Sequence, residues 1–111
     1  MQLWIDAVKP APAGYVWCIS VNHAISKIHS AEWLYLYKYN GNNGSNANII
    51  SVIDIDHDAG DFACDGGDYI KILDWLEKTG RDYPIRIHSQ NPVAVANMRR
   101  IIERNGWKEI K

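Results

Sequence analysis

The run Ile49-Ile50-Ser51-Val52-Ile53-Asp54-Ile55 constrains this chain more than any other stretch. It is apolar and β-branched, which suits a central strand buried on both faces. It then stops at Asp56-His57-Asp58-Ala59-Gly60-Asp61, a cluster of carboxylates around one imidazole. Such groups do not stay buried without partners or a ligand. In open α/β sheets, ligands sit beyond the carboxyl ends of the strands. The strand is therefore expected to deliver Asp56, His57 and Asp58 to a site. The simpler alternative is a solvated turn whose acids only aid solubility.

The rest of the chain falls into place around that strand. Leu3-Trp4-Ile5 reads as a short strand ending at Asp6. Residues 7–14 hold Pro10, Pro12 and Gly14, which break regular structure. Tyr15 to Ile19 is a second strand, and Ser20 can cap a helix carrying Val21, Ala24, Ile25 and Ile28 on one face. In Glu32–Tyr39 the aromatic residues Trp33, Tyr35, Tyr37 and Tyr39 alternate with Leu34, Leu36 and Lys38, which favours an extended segment over a longer helix. A polar loop follows at 40–48.

A further helix is expected after Gly66-Gly67, with Asp68 as N-cap, Tyr69, Ile72, Leu73 and Leu76 buried, and Gly80 as the stop. Ile85-Arg86-Ile87-His88 is another strand, led by Pro84. Asn91-Pro92 opens a last helix ending at Asn105-Gly106, and Trp107 to Ile110 has the length of a final strand. Strands alternating with helices predict one α/β domain with a mostly parallel sheet. Residues 7–14 are too few for an ordinary helical crossover.

At 111 residues the chain is one small domain, and a hydrophobic fraction of 47% with five tryptophans excludes disorder. No run is long enough to span a membrane, and no basic leader precedes an apolar one, so neither membrane insertion nor a signal peptide is expected. A net charge of −1 argues against broad nucleic-acid binding. Cys18 and Cys64 form no Cys-x-x-Cys and no disulfide framework, so a cytoplasmic setting is expected.

Three strand ends carry polar groups: Asp6, Asp56-His57-Asp58 and His88-Ser89. A parallel sheet brings all three to one edge. Asp6 and Asp56 are oxygen ligands of the kind Mg²⁺ accepts, or else carboxylates that cap loop amides. Asp54-x-Asp56-x-Asp58 is not a calcium loop: its glycine is one place late and no Glu stands at the twelfth position. His57 and His88 are the candidate acid and base, since imidazole is poised near neutral pH. His23 and His29 read as surface residues. Ser89, Gln90 and Asn91 lead into a helix N-terminus, where free amides and the macrodipole suit an anion. Gly66-Gly67 reads as a turn, and Cys64 has no histidine beside it to activate it.

Four segments together, Leu3-Trp4-Ile5-Asp6, Pro10-Ala11-Pro12-Ala13-Gly14-Tyr15-Val16-Trp17, Ile55-Asp56-His57-Asp58-Ala59-Gly60-Asp61 and Ile87-His88-Ser89-Gln90-Asn91-Pro92, resemble the cyclic-phosphate processing receiver-like domains. That family is a divergent branch of the response-regulator receiver fold. The resemblance implies a flavodoxin-like, three-layer domain with a five-stranded, mostly parallel sheet. The first helix would be reduced to residues 7–14 and the last would be missing, which leaves part of one sheet face short of cover.

The resemblance also implies a site made of Asp6, Asp56, His57, Asp58, His88 and Ser89. Its activity would be that of a small phosphoesterase acting on a cyclic phosphate, with His57 and His88 as acid and base and Asp56 orienting a histidine or a metal. Ser89, Gln90, Asn91 and Asp58 would contact the substrate. The alternatives are a non-catalytic binder of a nucleotide signal and a pseudo-receiver that binds a protein. Ala7 stands where the family has a second acid, so the expected cofactor is none or a weakly bound Mg²⁺ at Asp6 and Asp56. The expected partner is a small nucleotide or cyclic-phosphate ligand, with a homodimer left open.

Overall fold

Four short strands form one parallel sheet: β1 (Gln2–Ile5), β2 (Tyr15–Cys18), β3 (Val52–Ile55) and β4 (Ile85–Ile87), in the spatial order β2-β1-β3-β4. The computed structural model describes residues 1–39 and 49–111, so the polar loop expected at 40–48 lies outside the described residues. Helices α1 (Val21–Tyr39), α2 (Ile70–Lys78) and α3 (Pro92–Asn105), with one 3-10 turn (Gly60–Cys64), complete the described elements.

Strand side chains alternate between two faces. Leu3, Ile5, Ile53, Ile55 and Ile85 are fully buried and meet Ala24 and Ile28 of α1, Ile72, Leu73 and Leu76 of α2, and Met98 and Ile102 of α3 in one core. The three helices therefore share one face of the sheet. Right-handed crossovers require this. The steps β2 to β3 and β3 to β4 run the same way across the sheet, whereas β1 to β2 runs the other way and puts its connection on the opposite face.

That connection is residues 6–14. An extended chain covers about 3.3 Å per residue, so these residues can run back along a short strand without a helix. Trp4 alternates with Leu3 and Ile5 and so faces this loop. Its Nε1 donates to the Lys9 carbonyl at 2.9 Å, and Trp17 Nε1 donates to the Asp6 carbonyl at 2.8 Å. The parallel β1–β2 pair is thus closed by a loop pinned with two indoles. The expected three layers are corrected: among the described residues the helices make one layer, and a loop covers part of the other face.

Three further expectations change. Glu32–Tyr39 is not extended but continues α1 without a break. Glu32 accepts from Arg81 Nε and Nη2 and from the Tyr83 hydroxyl, while Trp33 and Tyr37, one helical turn apart, stack at 5.4 Å. The 19 residues of α1 span about 28 Å. The far end overshoots the short strands, and Trp33, Leu34, Leu36 and Tyr37 stay exposed. With no core to face, their order carries no helical period. The fifth strand shrinks to one parallel bridge, Ile85 to Glu109. The Arg99–Glu109 ion pair and buried Trp107 hold that tail. Asp68 is not a side-chain cap of α2; its Oδ1 accepts from the Ala59 amide instead, at 3.4 Å.

Other local signals hold. Ser20 Oγ accepts from His23 N, and Asn91 Oδ1 accepts from Ala94 N with Pro92 at the first helical position. Gly66 is a close-approach glycine. At φ +109° a Cβ there would lie 2.8 Å from Val21 Cβ, so it serves packing and not a phosphate. No described helix is long and apolar enough to cross a membrane.

Candidate functional site

The parallel register sets the site. Trp4, Asp54 and Arg86 stand side by side across β1, β3 and β4. They point away from the helical core. Two residues further along each strand direction come Asp6, Asp56 and His88, at the carboxyl edge.

His88 is the hub. Its side chain is 9% exposed, and its ring reaches across β3. Nδ1 meets Asp54 Oδ1 at 2.7 Å and Nε2 meets Asp6 Oδ2 at 3.0 Å. Carboxylates only accept, so both ring nitrogens act as donors and the ring is an imidazolium. Burial alone would lower the His88 pKa, but the bonds to Asp54 and Asp6 outweigh it and raise it above the ordinary 6.5. The indole of Trp4 lies flat against the ring.

Asp6 is equally committed. Its Oδ1 accepts from the amides of Val8 and Lys9, both at 2.8 Å, and its Oδ2 meets His88. Burial pushes its pKa up, yet those two amides and His88 together hold it below the ordinary 3.8. Asp54 is fully buried and splits its oxygens between His88 and Arg86, with Arg86 Nη1 at 3.0 Å.

A second cluster lies beside the first. His57 Nδ1 meets Ser89 Oγ at 2.8 Å and Asp56 Oδ1 at 3.2 Å. Asp56 and Ser89 therefore share one ring nitrogen. A nucleophilic serine relay needs them on opposite nitrogens, so this is not a Ser-His-Asp triad. Ser89 Oγ also accepts from Asn91 N at 3.1 Å. Pro92 has no N–H, and Ala94 N is taken by the Asn91 cap. Among the described residues, the amides of Gln90 and Val93 keep no protein acceptor. They are the free donors at the α3 N-terminus.

The remaining candidates sit as follows. Asp58 is exposed, and its Oδ1 accepts from Gly60 N at 2.8 Å, which closes the turn after β3. The side chain of Asn91 is spent on its cap and that of Gln90 is exposed. Arg99 pairs with Glu109, and Arg100 donates to Asn97. Cys18 is buried and Cys64 exposed, and both are free thiols. Burial pushes the Cys18 thiol up to about 11, which leaves it inert. A larger cavity of about 720 Å³ lies along α1, lined by Trp33, Leu34, Leu36 and Arg81, and none of the clustered carboxylates or site histidines borders it.

Asp6, Asp56 and His88 can each offer one ligand atom, all within 4.8 Å of one another. Two carboxylates and an imidazole suit Mg²⁺ or Mn²⁺ through oxygen and heavier divalent ions through nitrogen. Fit comes at a cost, because His88 Nε2 and Asp6 Oδ2 are already bonded to each other.

The role of Trp4 is not legible in the sequence, where it reads as an ordinary strand residue. Asp54 did carry a signal: a carboxylate inside Val-Ile-Asp-Ile is buried by its neighbours and must find partners.

A family model for the cyclic-phosphate processing receiver domain matches residues 1–104. No curated protein and no solved structure matches the chain significantly. The parallel sheet is consistent with a receiver-like fold, and by that match the chain belongs to the cyclic-phosphate processing receiver domain family.

Proposed function

We propose that this domain opens a cyclic phosphate by hydrolysis. The observation that carries the reading is the pairing of two unlike histidines at adjoining strand ends. His88 has both nitrogens donating to carboxylates, the state of a proton donor. His57 has one nitrogen held by Ser89 and Asp56, which leaves the other for a water molecule.

The phosphate would sit at the α3 N-terminus, held by the Ser89 hydroxyl and the amides of Gln90 and Val93. His57 takes a proton from water as its oxygen attacks phosphorus. The ring P–O bond breaks, and the leaving oxygen takes a proton from His88 Nε2, which turns from Asp6. Asp56 orients His57. Among the described residues bonded into the two clusters, the carboxylates Asp6, Asp54 and Asp56 outnumber the cations Arg86 and His88.

A divalent ion at Asp6, Asp56 and His88 would neutralise phosphate oxygens. It would also require a deprotonated His88 Nε2, so it excludes His88 as the acid. The double commitment of His88 also supports a second reading, a domain that binds the cyclic phosphate intact. Unpaired Cys18 and Cys64 support a reducing compartment such as the cytoplasm. Product analysis separates the readings: opened phosphate supports hydrolysis, and recovered intact ligand supports binding.

A further inference from the structure

A cavity of about 140 Å³ opens beside His57, lined by Asp68, Ile70, Ala94, Asn97 and Met98. It lies between the start of α2 and the first turns of α3. Ile70, Ala94 and Met98 make its apolar wall. Asp68 and Asn97 supply unused polar atoms. Asp68 Oδ1 takes only the long 3.4 Å bond from Ala59, and its Oδ2 has no hydrogen-bond partner among the described residues. Asn97 Oδ1 accepts from Arg100 Nη1 at 2.8 Å, which leaves its amide hydrogens without a partner among the described residues.

A carboxylate that only accepts and an amide that donates, set on an apolar wall, match a hydroxyl group, which does both. At about 140 Å³ it is well below the roughly 300–1,000 Å³ of a pocket that buries a whole drug-sized ligand, so it takes one small ring. His57 lines this cavity, and its Nδ1 meets Ser89 Oγ at 2.8 Å. A group esterified to a phosphate at Ser89 is thereby directed into it.

We propose that this cavity is a sugar subsite, taking a pentose ring whose free hydroxyl donates to Asp68 and accepts from Asn97. The inference rests on the phosphate reading above and narrows its substrate class. The ligand is a ribose cyclic phosphate that keeps one ring hydroxyl free, as a 3′,5′-cyclic nucleotide does and a 2′,3′-cyclic end does not. The base stays outside and is not read.

Calorimetric titration of the full chain tests this with 3′,5′-cyclic AMP, 3′,5′-cyclic CMP and 2′-deoxy-3′,5′-cyclic AMP. Inorganic phosphate reports the anion centre alone. The two ribonucleotides are expected to bind alike, and the deoxy ligand about tenfold to a hundredfold more weakly, the effect of one hydrogen bond to a charged group. Asp68→Ala, at an exposed position, is expected to erase that discrimination. Equal binding of the deoxy ligand, or discrimination that survives Asp68→Ala, overturns the subsite and leaves the phosphate reading standing. Binding of none of the nucleotides and no phosphate overturns both.

Discussion

The imidazole of His88 lies flat on the indole of Trp4, with ring centroids 3.9 Å apart and planes 2° from parallel. A π-face over a ring bonded to two carboxylates favours the cation still further. Replacing Trp4 by Leu keeps an apolar contact and removes the π-face. A desolvated cation–π contact is worth up to about 2 kcal/mol, and a pKa unit about 1.4 kcal/mol. Trp4→Leu is expected to lower the His88 pKa by about one unit in an NMR titration. An unchanged titration would show that the stack contributes only shape.

The same network sets how stability varies with pH. The folded His88 pKa lies above the ordinary 6.5, so its stabilisation is complete below that value and fades as pH rises through the folded pKa. The folded Asp6 pKa lies below the ordinary 3.8, so its stabilisation is complete above that value and fades as pH falls through the folded pKa. Between the two, both contributions are present. Urea midpoints should therefore decline as pH rises from 6.5 through the folded His88 pKa, and His88→Asn should flatten that decline. A decline unaltered in His88→Asn would remove His88 from the account of stability.

Asp54 tests whether the buried network is structural as well as functional. Removing one partner of a buried pair costs about 3–5 kcal/mol, because the other charge is left uncompensated. Arg86 is 47% exposed and can turn to water, whereas His88 at 9% cannot. Asp54→Ala is thus expected near the low end, about 3 kcal/mol, by chemical denaturation. A loss below about 1 kcal/mol, the scale of a surface pair, would mean that His88 is held by Asp6 and Trp4 alone.

What the sequence could reveal followed the physics of each stretch. Ile53 and Ile55 face a packed core, so their burial is written in the run itself. Asp6, Asp56, His57, His88 and Ser89 are polar groups at strand ends, and a parallel sheet leaves them one edge to occupy. Ser20 and Asn91-Pro92 act through their own backbone neighbours, so local sequence suffices for them. Trp33 and Tyr37 lie beyond the sheet, and nothing buries one face there to stamp a helical period on the chain. Trp107 to Glu109 pairs at one residue only, because Arg99 and Trp107 fix the tail through contacts distant in sequence. That Asp54 and Trp4 meet His88 depends on register across three strands, which no local pattern encodes.

An ordinary receiver takes a phosphoryl group on the carboxylate after its third strand. Asp56 holds that place here, but the edge carries an excess of carboxylate, Ala7 supplies no second acid, and Lys108 lies in a tail with a single bridge. Phosphoryl transfer needs a metal and cations to neutralise the incoming charge. Acetyl phosphate is expected to leave Asp56 unmodified. A mass gain of one phosphoryl group, absent in Asp56→Asn, would restore a phosphorylated receiver.

The most direct measurement is turnover of a panel of cyclic nucleotides and 2′,3′-cyclic-phosphate RNA ends by the purified chain, with and without EDTA. The account predicts an opened phosphate monoester from the wild type, retained in EDTA. The folded His57→Ala and His88→Ala variants should each lose at least about a hundredfold, the scale of one general acid or base. Intact ligand recovered from the wild type, or turnover unchanged in either variant, would contradict it.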